Sequence, residues 1–312
     1  MVQPPGVVTG RYGTIGELFY VPEPFWPLNT TLYVRDFHGN DPRFVYYHLQ
    51  RFDFATFSGK SGVPGVNRND LHTETIFLPI DISEQRAIAE ALSDVDGLLA
   101  ALDRLIAKKR DLKQAAMQQL LTGQTRLPGF HDEWEVKRLG DMTMLYQPVT
   151  ISAHQFSESG YPVYGANGVV GFYRDFNHDS WQVTITCRGS TCGTVNRTVE
   201  KCWVTGNAMV VNCDQNNNIN KEFLCFALKH KDLSVCITGT GQPQIVREPL
   251  ANVELKIPVV SEQTAIAEVL SDMDAELAAL EQRREKTRLL KQAMMQELLT
   301  GRTRLVPPGG RE

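Results

Sequence analysis

Ser83-Glu84-Gln85-Arg86-Ala87-Ile88-Ala89 opens a stretch that closes at Leu120-Leu121-Thr122-Gly123-Gln124-Thr125-Arg126-Leu127. It returns 178 positions later, from Ser261-Glu262-Gln263-Thr264-Ala265-Ile266-Ala267 to Leu298-Leu299-Thr300-Gly301-Arg302-Thr303-Arg304-Leu305, with 30 of 45 residues identical. A period this long exceeds any solenoid unit, so it describes one domain plus one connecting helix, present twice.

The repeated stretch has a helical period. Ile88, Leu92, Val95, Leu99, Leu102 and Ile106 are spaced 4-3-4-3-4, and Ile266, Leu270, Met273, Leu277 and Leu280 follow the same spacing. That is an apolar seam sustained for about three heptads. Ser83 and Ser261 are expected as N-caps, each followed by an acid that suits the positive helix end. Gly123 and Gly301 stand where a C-terminal cap belongs. A helix over 83–121 would be roughly 58 Å long at 1.5 Å per residue. Seams this narrow on helices this long need a partner, and the other copy is the expected one, in an antiparallel intramolecular coiled coil. The alternative is that each helix packs only on its own globular neighbour. Lys109, Lys113, Arg284 and Thr287 interrupt the seam and are expected to pin its register.

Upstream of each helix the similarity continues more weakly. Thr9-Gly10-Arg11-Tyr12-Gly13-Thr14 matches Thr186-Cys187-Arg188-Gly189-Ser190-Thr191, and Asp41-Pro42-Arg43-Phe44 falls opposite Asn220-Lys221-Glu222-Phe223. Leu18–Val21, Thr31–Val34, Gln182–Ile185 and Ala208–Val211 are expected strands. Phe44–Leu49 and Phe223–Leu228 are expected short helices. The fold class is therefore α+β. The chain divides into a first globular domain at 1–80, a long helix at 81–127, a second domain at 128–258, a second long helix at 259–305 and a tail at 306–312. The first domain is shorter by about 44 residues before its Arg11, and is expected to be N-terminally incomplete.

The net charge of −4 is spread evenly, at −1 in each of 1–80, 81–140, 141–256 and 257–312. Composition alone therefore lowers the prior for a nucleic-acid binder. No apolar run is long enough to span a membrane. All six cysteines lie between 187 and 236 without a Cys-x-x-Cys pair, so free buried thiols are expected rather than a metal site. No catalytic constellation stands out, and no cofactor is implied.

The doubled Ser-Glu-Gln-x-x-Ile-Ala with Lys-Gln-x-x-Met-Gln-x-Leu-Leu-Thr-Gly, seen at 83–123 and 261–301, resembles the specificity subunit of type I restriction-modification enzymes. Trp134-Glu135-Val136-Lys137-Arg138-Leu139-Gly140-Asp141 is similar to the opening of that family's target-recognition domain. Gly62-Val63-Pro64-Gly65-Val66 and Gly241-Gln242-Pro243-Gln244-Ile245 are similar to its close. The resemblance implies two target-recognition domains, the first truncated, each reading half of a split site on double-stranded DNA. It implies helices that set the spacing and dock methyltransferase subunits, with motor-nuclease subunits joining them. It also implies a non-catalytic, cytoplasmic protein, away from membranes. Another copy of the specificity chain is a further expected partner. The alternative reading is a structural or half-specificity subunit that docks partners without reading both halves.

Base reading needs donor–acceptor side chains, and phosphate contact needs cations and hydroxyls. Those residue types in polar loops give Arg11, Lys60, Asn67 and Arg68 in the first domain. In the second they give Tyr164, Asn167, Arg188, Ser190, Thr191, Gln242, Gln244 and Arg247. Copies that read different half-sites should differ at base contacts, so Gln242 and Gln244, opposite Val63 and Gly65, are the expected specificity residues.

Overall fold

The computed structural model describes residues 1–57, 65–239 and 243–305. It divides into two compact units, Met1–Ala107 with Ala279–Glu312, and Lys108–Ala278.

In the first unit, β1 (Gly6–Gly10), β2 (Leu18–Val21) and β3 (Thr31–Tyr33) form an antiparallel sheet of order β2-β1-β3. Alternation along β1 turns Val7 and Thr9 inward, where both are buried. The helix α1 (Pro42–Leu49) packs on this sheet, capped by Asp41, whose carboxylate accepts from the amides of Arg43 and Phe44. After a short α2 (Arg68–Leu71) the chain enters α3 (Ile82–Thr122), which begins in this unit and ends in the other. Phe44 and Tyr47 of α1 close a core with Ile88, Ala89 and Leu92 of α3 and with Leu298 and Leu299.

The second unit is richer in strands. It contains β4 (Glu135–Arg138), α4 (Leu139–Met142), β5 (Met144–Tyr146), β6 (Tyr161–Gly165), β7 (Gly168–Tyr173), β8 (Val183–Thr186), β9 (Val195–Arg197), β10 (Trp203–Val204) and β11 (Ala208–Asn212). It continues through α5 (Lys221–His230), β12 (Ile237–Thr238), β13 (Gln244–Ile245), α6 (Arg247–Ala251), β14 (Glu254–Ile257) and the start of α7 (Val260–Leu298). The central sheet has order β5-β11-β8-β9. One face carries Val183, Ile185, Met209 and Val211 into a core shared with α5 and with Ile266, Ala267 and Leu270 of α7. The other face buries Ala208 and Val210 with Tyr164, Cys202 and Val204 of the β10-β6-β7 sheet. The expected strands and short helices lie within a residue or two of the observed ones, and the six cysteines are free thiols, five of them buried.

Within each unit a segment of α3 runs antiparallel to a segment of α7. In the first unit Asp96 pairs with Lys291 at 2.6 Å and, seven residues on, Asp103 pairs with Arg284, seven residues back. In the second, Lys109 pairs with Glu276 at 2.7 Å and Lys113 with Asp274. Three of the four polar seam residues, Lys109, Lys113 and Arg284, thus hold ion pairs between the helices, while Thr287 donates to the Arg283 carbonyl of its own helix. Along the seam Leu92, Leu102, Leu270 and Leu277 are buried, while Val95, Leu99, Met273 and Leu280 are half-buried. Each fully buried leucine contributes roughly 1.5–3 kcal/mol.

The expected N-caps need correction. The helices begin at Ile82 and Val260, which puts Ser83 and Ser261 inside the first turn. For α3 the capping carboxylate is that of Asp81, which accepts from the Ser83 amide at 2.8 Å. Hydrogen bonding from the Ser83 side chain, and then from its amide, holds the Asp81 carboxyl below the usual carboxylate range. The C-termini behave as expected: Gly123 and Gly301 take φ of 73° and 71°, a left-handed conformation that glycine adopts without a side-chain penalty.

The Glu and Gln of the repeated motif have a role the spacing did not reveal. Glu262 is fully buried and accepts from Arg126 through both carboxylate oxygens, at 2.6 and 2.7 Å, and from the Trp134 indole at 3.2 Å. In the other unit Glu84 is buried and paired in the same way with Arg304. Each pair ties the start of one long helix to the Thr-Arg that follows the other. Gln263 accepts from the Asn220 amide at 2.9 Å and donates to the carbonyls of Asn218 and Pro258. Gln85 likewise accepts from Asp41 and donates to Asn40 and Pro79. Asn220 and Asp41 are the caps of α5 and α1, so each glutamine clasps a long helix to the capping residue of its own domain.

Candidate nucleic-acid interface

In the second unit three polar segments are tethered through the backbone. Strand β8 ends at Thr186, and the next residues, Cys187-Arg188-Gly189-Ser190-Thr191, form a turn. The Ile245 amide donates to the Cys187 carbonyl at 2.9 Å and the Gly189 amide to that of Pro243 at 3.3 Å. Arg188 and Gln244 are thereby direct antiparallel partners. Gly189 holds φ at 86°, which lets the turn fold back on itself. The hairpin β6–β7 joins the same region, because the Thr186 hydroxyl donates to the Ala166 carbonyl at its tip.

This construction leaves Asn167, Arg188, Ser190 and Gln244 exposed, with Thr191 half-buried beside them. A Gln and an Asn on tethered turns supply the donor and acceptor types that base edges require, and Arg188 and Ser190 add a cation and a hydroxyl for phosphate oxygens. Tyr164 is placed otherwise: its ring is in the β6–β11 core and its hydroxyl accepts from the Val199 amide at 3.1 Å. Strand alternation gave no signal of that position, because Val163 and Tyr164 are both buried and the register of β6 on β7 shifts between them. Arg247 is exposed at the start of α6, in a separate cleft lined by Arg138, Asp141 and Asn252.

The first unit has a smaller version of the tether. The Val66 amide donates to the Arg11 carbonyl at 3.0 Å, and Tyr12 is an antiparallel partner of Gly65. Arg11 is exposed, its guanidinium 5.1 Å from the centre of the Tyr12 ring. Asn67 caps α2 by accepting from the Asn69 amide at 3.1 Å, so its carbonyl oxygen is occupied, and Arg68 is exposed at the start of that helix. Lys60 and Gln242 lie outside the described residues.

Burial shapes the remaining polar groups. His178 stacks on Tyr146 and is bound by its hydroxyl at Nε2 (2.7 Å) and by Asn177 at Nδ1 (2.6 Å). Burial pushes the imidazole below its ordinary pKa, which favours the neutral ring. Burial also raises the thiols, Cys213 to about 11. Among the described residues no cluster of His, Cys, Asp and Glu could hold a metal ion, and no helix is long and apolar enough to cross a membrane.

Exposed leucines in each unit went unnoticed in the sequence. Leu98, Leu105 and Leu112 of α3 are exposed at 40, 40 and 47 %. Their seven-residue spacing, beside the seam rather than in it, was the available signal.

The model of the type I restriction modification DNA specificity domain matches residues 5–109 and 131–290. The MjaVIII specificity subunit of Methanocaldococcus jannaschii is 23% identical over 306 residues, covering 85% of this chain and 71% of that protein. The EcoprrI specificity subunit of Escherichia coli is 30% identical over 150 residues, 46% of this chain and 37% of that protein. Among solved structures, the type I S subunit from M. genitalium superposes with a TM-score of 0.70 at 17% identity, over 96% of this chain and 83% of that one. A second, from work on assembly and conformational transition of the type I R-M system, gives 0.58 at 18% identity, over 97% and 83%. At these identities the structural likeness speaks for the fold.

Proposed function

The chain belongs to the type I restriction modification DNA specificity domain family, and from that premise we propose that it reads a bipartite site on double-stranded DNA for methyltransferase and motor-nuclease subunits. It is a non-catalytic recognition component. The observation that carries the reading is the Arg188–Gln244 bridge, which holds a base-reading residue type and a phosphate-binding cation side by side at the surface. Asn167, Ser190 and Thr191 extend that contact surface, and Gln242 is proposed to act with Gln244. Arg11 and Lys60, with Arg68, are the proposed contacts of the first domain, and Arg247 a proposed phosphate contact of the second.

Docking of methyltransferase subunits on the long helices is supported by the exposed leucines of α3, which nothing in the chain's own seam requires. A cytoplasmic location suits a protein that works on DNA with such partners. A second reading, in which the chain reads one half-site and pairs with another copy for the other, is favoured by the one three-stranded sheet found among the described residues of the first domain. Co-expression with methyltransferase subunits, followed by sequencing of the methylated DNA, separates the two. One asymmetric bipartite motif supports the first reading, and a palindromic motif with identical halves supports the second.

A further inference from the structure

In the second unit Arg110 and Lys113 of α3 face Lys229 and His230 at the end of α5 across a groove of about 380 Å³, floored by Met117 and Leu277. Four basic side chains meet here in a chain whose net charge is −4. Of the four, Lys113 is bound to the Asp274 carboxylate. Lys229 and His230 are exposed, with Lys229 6.0 Å from the centre of the Phe226 ring. The last-turn carbonyls of α5 would repel an anion, and two basic residues in that turn offset them.

The repeat distinguishes this groove from the turns that differ between the copies. Between 103–111 and 281–289 only Lys108 and Arg110 keep their identity, as Lys286 and Arg288. Lys113, Met117 and Leu277 recur as Lys291, Met295 and Leu99. With α1 and α5 aligned on their caps Asp41 and Asn220, His230 falls opposite Arg51, while Lys229 falls opposite Gln50. Gln244, by contrast, falls opposite Gly65. A ligand common to both copies, anionic and indifferent to the base sequence, fits the first pattern, and the sugar–phosphate backbone is such a ligand. The groove is also close in sequence to the proposed reading site, with His230 and Gln244 at the two ends of residues 230–244.

We propose that this groove holds a backbone phosphate of the DNA duplex, adding affinity without sequence preference; the proposal rests on the DNA-reading function above. The test is a salt titration of the full chain, assembled with its methyltransferase subunits, on a specific and a scrambled duplex. The variants are Lys229→Gln, the double variant Lys229→Gln/His230→Gln, and Lys229→Arg as a charge-keeping control. Lys229→Gln is expected to flatten the log–log salt slope by about 0.9, the value for one lost phosphate contact. Affinity for both duplexes should fall by the same factor, the methylated motif should stay unchanged, and Lys229→Arg should keep the parental slope. An unchanged slope in both Gln variants overturns the proposal, as does a loss confined to the specific duplex. Unchanged DNA binding with loss of methyltransferase assembly also overturns it and assigns the groove to an acidic segment of that partner. Failure of the parental assembly to bind either duplex overturns the functional reading itself, and the proposal with it.

Discussion

Gln244 and Arg188 are adjacent in the fold yet are assigned different work. Gln244 can pair with an adenine edge in a bidentate way, so Gln244→Ala should relax preference at one position of the site, at a cost of roughly 1–3 kcal/mol. Arg188→Ala should weaken binding to all sequences and reduce the salt slope by about one unit. Motif sequencing and salt titration of both variants check this, and a motif unchanged in Gln244→Ala counts against the base-reading role. His48 yields a prediction of another kind. It is buried between Phe44 and Phe52, its Nδ1 has no hydrogen-bond partner, and burial, with Arg51 nearby, pushes its pKa down to about 4. The unfolded chain takes up this proton near pH 6.5 and the folded chain near 4, so His48 erodes stability as pH falls through that window. His48→Phe should flatten the decline of melting temperature between those values, and an unaltered pH profile would show that other groups control it. At this scale the sequence was only partly legible. Residue type picked out Arg188 and Gln244, but whether a polar residue faces solvent or core is set by pairing partners far along the chain. That is why Tyr164 was expected at the interface and lies in the core, and why Asn67 turned out to be a helix cap.

The long helices were the most legible elements, because a seven-residue apolar period needs no tertiary information. Their burial is nevertheless uneven. Leu270 is fully buried, so Leu270→Ala should cost about 2–5 kcal/mol, and Leu99→Ala should cost less because Leu99 is half-buried. Chemical denaturation of both variants measures the difference, and equal losses would contradict the seam described here. The Glu–Arg pairs were illegible for a physical reason: Glu84 and Arg304 are 220 residues apart, and a buried carboxylate looks like a helix-start acid until its partner is seen. Arg126→Ala leaves Glu262 buried without its guanidinium. It should lower the melting temperature more than Arg302→Ala, whose contact to Glu297 is exposed and 3.9 Å long. Equal thermal shifts would reduce the pair to a surface contact.

Each unit combines a globular domain with the beginning of one long helix and the end of the other, closed by the same buried Glu–Arg pair and the same glutamine clasp. The duplication was plain in the sequence. The units themselves were not, because the helix partner of each domain comes from the other repeat. With charge spread so evenly, the chain alone is expected to bind DNA weakly and to gain affinity and salt slope with methyltransferase subunits. A comparison of salt titrations with and without those subunits checks that expectation. The central claim is that this chain chooses the DNA sequence on which a methyltransferase acts. The direct measurement is single-base methylation mapping in a host lacking other modification, with the methyltransferase subunits expressed with this chain, without it, or with its Gln244→Ala variant. The account predicts a defined motif only when the chain is present, relaxed at one position by the variant. Methylation at the same sites without the chain would contradict it.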